Sequence, residues 1–549
     1  MLESITSRLP VARVSDGIWA LNVLRERGVI GAMRPDKALR VAERYVRWGT
    51  TPALGSAATA IEYPDETAIA DEIGALTFSD THRRSNALAR ALSELGVGAG
   101  DGVAIMCRNH RYFVEATMAC SKLGAVALFL NTAFAAPQLA EVMERESTAA
   151  LVYDEEFAEL LDAEKHDDVR RIVGWSDGGT DDPSAEELID AFDGERDLKP
   201  PAESGRYIIL TSGTTGTPKG AQRGAPEGIT PLAAFLSKIP RTSREQTVIS
   251  APLFHSWGFS HFVLGLPLAA TMILRRKFDP EDAIRTVAQH RAETLVVVPV
   301  MMQRIFDLPE EVRRRYDLSC LRVTAASGSA LPGELATRWM DEFGDNLYNL
   351  YGSTEVAWAT IATPDDMRAA PDTAGQVPRG TVVKIVDEEG SELPTGETGR
   401  IFVGNDLAFE GYTGGGNKDA IDGLLSSGDV GHIDGAGRLF IDGRDDEMIV
   451  SGGENVFPRE VEDLLSDHEA VADVAAIGVD DEQFGQRLRA FVVTKEGADV
   501  SEDELKSHVK ANLARYKVPR EVVFLDEIPR NATGKVLKRE LAEREPAAD

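Results

Sequence analysis

Apolar residues along this 549-residue chain recur in two alternating rhythms. One is a helical spacing of about 3.6 residues and the other a short unbroken run. Asp36–Trp48 has its apolar positions at helical spacing, and residues 1–52 read as a helical extension with no chemistry of its own. From Ala53 the pattern predicts a helix over Ala53–Tyr63, a strand at Thr67–Ala70 and an amphipathic helix over Asp80–Leu95 that stops at Gly96. Val103–Cys107, Tyr112–Leu123 and Ala125–Leu130 then read as strand, helix and strand. That order is a βαβ unit, whose crossover lays its two strands parallel in one sheet. Further apolar runs at Thr247–Leu253, Thr294–Pro299 and Leu321–Ala325 add strands of the same buried kind, and Gly333–Phe343 adds a helix.

Beyond Gly375 the spacing shortens. Val382–Val386 and Gly399–Val403 are short strands between Gly, Pro and Asp turns, which predicts a small β-subdomain over Gly375–Gly411. The C-terminal stretch reads as a compact α+β unit: helix Pro458–Leu465, strands Val471–Val479 and Arg487–Val493, helix Glu502–Leu513 and strand Val522–Leu525. A chain of this length exceeds one core. The expected division is the extension 1–52, a large α/β domain 53–443 of mostly parallel sheets flanked by helices with the small β-subdomain, and a small mobile α+β domain 444–549 with its hinge near 444–446. Asp167–Asp197, dominated by Asp, Glu, Gly and Ser, reads as an exposed connection.

Hydrophobic residues make up 43% of the chain, enough for packed cores. The 59 basic and 90 acidic residues leave a net charge of −31, which argues against nucleic acid or an anionic membrane as partner. An acidic surface that uses lysine sparingly also suits a salt-rich cytoplasm. Cys107, Cys120 and Cys320 are isolated, forming neither a disulfide framework nor a metal spacing. The longest apolar stretch, Phe262–Leu274, is broken by Gly265 and Pro267 and is too short to span a bilayer, and the first residues lack an apolar signal core. A soluble, cytoplasmic protein is expected.

The chemistry is densest at YIILTSGTTGTPKG, Tyr207–Gly220. An apolar strand ends abruptly at Thr211, Ser212, Gly213, Thr214, Thr215 and Gly216. Glycines let the backbone approach a ligand, hydroxyls donate to oxyanions, and Lys219 adds positive charge, a combination suited to a triphosphate. The spacing is not that of a Walker loop, because Lys219 lies between Pro218 and Gly220. A second strand-to-loop transition, NLYNLYGSTE, ends in Tyr351, Gly352, Ser353, Thr354 and Glu355. A flat tyrosine can stack on a purine, a glycine permits close approach, a threonine hydroxyl can bond phosphate or carboxylate, and a carboxylate can ligate Mg²⁺.

Together these stretches resemble the adenylate-forming superfamily of acyl-CoA synthetases, peptide-synthetase adenylation domains and luciferases. The resemblance extends to KLGAVALFLNTAFAAPQL (Lys122–Leu139), although Phe-Leu-Asn-Thr around Asn131 replaces the usual Pro-Leu-Asn-Pro. It implies a set of roles. His255, in FHSWGFSHFVLGLPL, matches a gate near the reacting carboxylate, and the Gly328, Ser329 and Ala330 loop contacts adenine. Thr211 and Glu355 hold Mg²⁺, Asp429 in SSGDVGHID binds the ribose hydroxyls, and Arg444 contacts ribose or phosphate. Asp446 occupies the hinge. Lys535, after Thr-Gly in IPRNATGKVLKRE, reaches the active site during adenylation; the loop with Gly452, Gly453 and Glu454 replaces it for thioester formation. Lys535, His255, Thr354 and Glu355 are the implied catalytic groups.

The activity so implied is an ATP-dependent, AMP-forming carboxylate–CoA ligase, most like fatty acyl-CoA synthetases, with ATP, Mg²⁺ and coenzyme A. Its acid would be a medium- or long-chain fatty acid in an apolar channel beside Trp257, Phe259, Phe262 and Leu266. An aryl-acid ligase, a stand-alone enzyme loading a carrier protein and a luciferase-like oxygenase share the motifs. A non-catalytic nucleotide-binding protein would not need Lys535, and a homodimer is left open.

Overall fold

The described residues of the computed structural model are 10–542 apart from 163–167, 180, 193, 212–218, 224–227, 388, 408, 414, 445–448, 453, 457, 482, 496, 530–535 and 537. They build three sheets, of 14, 7 and 5 strands. In the first, Thr67–Ala70, Thr271–Leu274, Gln246–Ile249, Thr294–Val297, Val323–Ala326 and Leu347–Tyr351 run parallel. In the second, Arg170–Val173, Thr148–Tyr153, Gly102–Met106, Val126–Phe129 and Tyr207–Thr211 run parallel, and Lys219–Arg223 returns antiparallel. The mostly parallel α/β architecture expected from the apolar runs is therefore present.

The largest apolar cluster draws on both sheets, with Ile249 and Leu274 from one and Ile105 and Phe129 from the other. It also takes side chains from the helices Phe78–Glu94, Arg111–Leu123 and Ser256–Gly265. Arg111–Leu123 is buried on nearly every side, as befits a helix inside a core. The Phe259 ring packs at a tilt against Phe129 and Tyr207, with ring centres 4.7 Å apart in each pair, and Phe262 and Leu266 are buried in the same cluster. These three side chains are core, and of the four expected to line an apolar channel it is Trp257 that faces the cavity described below. Filling the core secures about 1.5–3 kcal/mol per large apolar side chain, a return a solvated channel wall does not give.

One other expectation is corrected. The acidic stretch Asp167–Asp197 is not merely a connection: Arg170–Val173 is an edge strand, and Ala185–Ala191 is a helix packed on Phe78–Glu94. The antiparallel strands after Gly375 are the short strands expected of the small β-subdomain, with a core cluster of their own that includes Ile385, Ile401, Val403 and Leu439. Gly375–Gln376 bonds both Thr360–Ala362 and Arg438–Arg444, so they continue the first sheet. The helices Pro10–Glu26 and Pro35–Trp48 pack on Thr230–Lys238 and Pro52–Glu62.

Arg438–Arg444 is the last strand of the first sheet, and Ile449–Ser451 belongs to the third. The third sheet, with the helices Pro458–Ser466 and Glu502–Asn512, has its own core of Val461, Leu465, Val474, Val492, Leu505 and Val509. No helix among the described residues is long and apolar enough to cross a membrane.

Candidate active site

The strand Tyr207–Thr211 and the strand Lys219–Arg223 form a hairpin with Thr211 opposite Lys219. Ser212, Gly213, Thr214, Thr215 and Gly216 lie outside the described residues, as does the Thr211 side chain. The Lys219 ammonium stands 5.3 Å from the centre of the Tyr412 ring. Tyr412 in turn donates its hydroxyl to Glu355 Oε1 at 2.7 Å, and Ser353 Oγ donates to Oε2 at 2.9 Å. Burial and the Glu355 carboxylate both push the Tyr412 phenol up, so it remains a proton donor. Tyr412 thus ties the hairpin to the Tyr-Gly-Ser-Thr-Glu loop, a link the sequence reading missed because the residues are 57 positions apart.

That loop leaves the end of the strand Leu347–Tyr351. A Cβ on Gly352 would stand 2.1 Å from the Ala357 carbonyl oxygen, so only glycine fits this turn. Tyr351 donates its hydroxyl to Asp429 Oδ2 at 2.5 Å, bringing together the two residues expected at the nucleoside. Asp429 is buried on Leu424–Ile433, with Arg444 its backbone partner across the ladder; the Arg444 side chain lies outside the description. Gly328, at φ +95°, turns the end of the neighbouring strand toward the same space.

A cavity of about 1020 Å³ collects these residues. Gly328, Ser329, Ala330, Tyr351, Asp429 and the loop Gly352–Glu355 line one part of it, and Asn131, His255, Trp257 and Glu454 another. Asn349 also lines it, 7% exposed, and its Oδ1 has no hydrogen-bond partner among the described residues. Sequence reasoning passed over Asn349, although a polar side chain in an otherwise apolar strand was the available signal.

His255 opens the helix Ser256–Gly265, and two residues later Trp257 closes the cavity wall. The Trp257 indole donates to the Val297 carbonyl at 3.0 Å, and its ring meets His261 edge-on at 4.4 Å. Behind it, His261 bonds Arg241 at 3.0 Å, and Arg241 is paired with Glu245; all three are fully or almost fully buried. Trp257 therefore separates the cavity from a buried charged network.

Glu454 enters the cavity from the third-sheet unit. Its Oε1 lies 2.8 Å from His255 Nε2, and Asn131 Nδ2 stands 3.4 and 3.3 Å from its two oxygens. Burial alone would pull the His255 imidazole down, but the Glu454 carboxylate outweighs it and leaves His255 above its usual value. Burial likewise works against Glu454, and His255 holds it below the usual carboxylate range. Gly452 lines the cavity, while Gly453, Asp446 and Lys535 lie outside the described residues.

Away from this cavity, ligand-type atoms of Cys107, His110 and Asp154 lie within 4.8 Å of one another. His110 Nδ1 accepts the Tyr112 N–H, which places the ring proton on Nε2, donated to Asp154 at 2.8 Å. A metal on Nε2 would force that proton onto Nδ1, facing another donor, so the cluster is structural.

Residues 57–413 match the AMP-binding enzyme family model, and residues 460–535 match the AMP-binding enzyme C-terminal domain. The chain belongs to the AMP-binding enzyme family. Among its relatives, a 3-[(3aS,4S,7aS)-7a-methyl-1,5-dioxo-octahydro-1H-inden-4-yl]propanoyl:CoA ligase from Rhodococcus jostii is 33% identical over 524 residues, covering 90% of this chain and 98% of that one. A feruloyl-CoA synthase from an Amycolatopsis species is 33% identical over 487 residues, covering 88% and 96%. Among solved structures, o-succinylbenzoate CoA synthetase from Bacillus subtilis, as a double mutant bound with its product analogue, superposes with a TM-score of 0.77 at 26% identity, over 89% of this chain and 98% of that one. The same enzyme with its acyl-adenylate intermediate gives 0.64 at 25% identity, over 90% and 99%.

Proposed function

We propose that this AMP-binding enzyme is an ATP-dependent acid–CoA ligase whose acid is compact and ring-bearing, aryl or alicyclic. Trp257 carries the reading. Pinned to the Val297 carbonyl and backed by the Arg241–His261–Glu245 network, it ends the acyl part of the cavity where a long alkyl chain would need to continue. The two curated relatives above are named for a fused-ring propanoyl-CoA and for feruloyl-CoA, which supports the choice of a ring over the fatty acid that the motifs suggest.

The chemistry proceeds in two steps. The acid's carboxylate attacks the α-phosphorus of ATP; an acyl–phosphate bond forms and pyrophosphate leaves with the P–O electron pair. The CoA thiol, losing its proton, then attacks the acyl carbonyl, and AMP departs. In the first step the hairpin from Thr211 to Lys219 cradles the triphosphate, and Thr354 bonds phosphate or carboxylate. Tyr351 stacks on adenine beside Gly328, Ser329 and Ala330, Asn349 Oδ1 accepts from its amino group, and Asp429 accepts from the ribose hydroxyls, with Arg444 nearby. Glu355 suits Mg²⁺, being a buried hard-oxygen donor whose two oxygens are steadied by Tyr412 and Ser353 while it still faces the cavity. With Thr211 it would hold the ion, which when bound neutralises triphosphate charge. Lys535 serves the first step, and the loop carrying Gly452, Gly453 and Glu454 serves the second, the third-sheet unit turning about the hinge at 444–446.

A panel of acids matched for carbon number tests the substrate class, with pyrophosphate release and thioester mass as readouts. Aryl and alicyclic acids are expected to give the highest kcat/KM. Highest values for straight-chain alkanoates would overturn the ring assignment.

A further inference from the structure

Two segments of the chain meet at the cavity, and side chains on the helices that follow them meet as well. One runs from Asn131 into the helix Ala136–Arg145, the other from Glu454 into the helix Pro458–Ser466. At the cavity, Asn131 and His255 bond Glu454. On the helices, Gln138 Nε2 donates to Glu460 Oε1 at 3.1 Å, while Lys517 Nζ holds the other oxygen of Glu460. Gln138, Glu460 and Lys517 are 5%, 4% and 0% exposed, and none of them lines the cavity. Beside them Arg515 N donates to the Ala133 carbonyl at 3.3 Å, and Ala514 is buried against the cluster that includes Leu139 and Val142.

Glu460 and Lys517 both belong to the third-sheet unit, so their pairing travels with it. Gln138 belongs to the other body and meets Glu460 only when the units sit as they do here. Burial pushes the Glu460 carboxyl up despite both donors, which shows how little water supports it.

We infer that Gln138 is a positioning residue for thioester formation, the fixed half of a buried latch that holds Glu454 in the cavity. A carboxylate that turns toward water replaces the lost amide with solvent, whereas a carboxylate buried in this arrangement cannot. Removing the donor therefore destabilises one arrangement and spares the other. The second half-reaction is expected to slow about ten- to a hundredfold, and the first to change less than about twofold.

The test uses the full chain carrying Gln138→Leu or Gln138→Met. Acid-dependent ATP–pyrophosphate exchange reads the first half-reaction, and single-turnover acylation of CoA from preformed acyl-adenylate reads the second, with KM for CoA measured separately. A selective fall in the acylation rate at unchanged exchange supports the latch. Equal losses in both, or loss in neither, overturn it and leave Gln138 a packing residue. The inference takes its thiol acceptor from the proposed function, so a readout free of CoA accompanies it. Fluorophores at the exposed residues Glu144 and Lys510, on helices that touch across the boundary, report the spacing of the units. Lengthening of that distance in Gln138→Leu supports the latch even if CoA proves the wrong acceptor. An unchanged distance refutes it.

Discussion

Glu454→Ala removes the carboxylate shared by His255 and Asn131. The His255 contact is 2.8 Å long, and the Asn131 contacts are 3.4 and 3.3 Å. A hydrogen bond to a charged group contributes about 1.5–3 kcal/mol, but the His255 and Glu454 side chains are 30% and 23% exposed, so solvent screening places the pair near the lower end. With a smaller share from Asn131 the sum is about 2 kcal/mol, or roughly 30-fold in the rate of thioester formation. In the proposed two-step scheme adenylation does not use this arrangement and should be spared. The pH dependence follows from the shifts. His255 is raised, so the pair's contribution is whole below the ordinary histidine value of about 6.5 and is lost as pH rises through the raised one. At the acid end it is lost as pH falls through the lowered value of Glu454. Single-turnover acylation of CoA, run beside pyrophosphate exchange from about pH 5 to 9, should show a variant deficit that is largest between these titrations and shrinks toward high pH. A deficit of equal size in both half-reactions, or one independent of pH, would refute the reasoning.

Trp257→Ala should cost about 3–5 kcal/mol of stability and move the preference toward larger acids, by roughly fourfold in kcat/KM per added methylene; an unchanged ranking across the acid panel would contradict its role as the pocket's end. If Asp429 accepts from the ribose hydroxyls as proposed, Asp429→Ala should raise KM for ATP about tenfold or more while kcat changes little, because such a contact would be made equally in ground and transition states; steady-state kinetics with varied ATP check it. Lys535→Ala is expected to lower adenylation about a hundredfold or more and to leave acylation of CoA from preformed acyl-adenylate intact, and near wild-type pyrophosphate exchange would show that the lysine is merely solvated. If the net charge of −31 reflects a salt-adapted surface, activity should survive or rise in molar KCl; unfolding there but not in dilute buffer would rule that out.

Where chemistry and local pattern coincide, the sequence was legible. Tyr207–Thr211 and Leu347–Tyr351 are strands as expected, and although they belong to different sheets, Leu210 of the one and Tyr351 of the other line one cavity. The helix Ser256–Gly265 was harder. An apolar side chain in a pocket and one in a core give the same periodicity, so Phe259, Phe262 and Leu266 could not be told from channel walls until their neighbours were seen. The acidic stretch hid the strand Arg170–Val173 and the helix Ala185–Ala191 because both are short and composition dominates such windows. The reciprocal cap of Ser184 and Glu187 was the overlooked sign. Gln138 with Glu460, and Asn131 with Glu454, are 322 and 323 residues apart. No local rule joins residues at that distance; packing of the two units does.

The two-step reaction is tested most directly with the unmodified protein, ATP, Mg²⁺ and a ring-bearing acid, before and after CoA is added. Pyrophosphate exchange that requires the acid but not CoA, followed on CoA addition by equal amounts of AMP and acyl-CoA, is the predicted result. Formation of ADP and phosphate, or exchange that proceeds without any acid, would contradict the account.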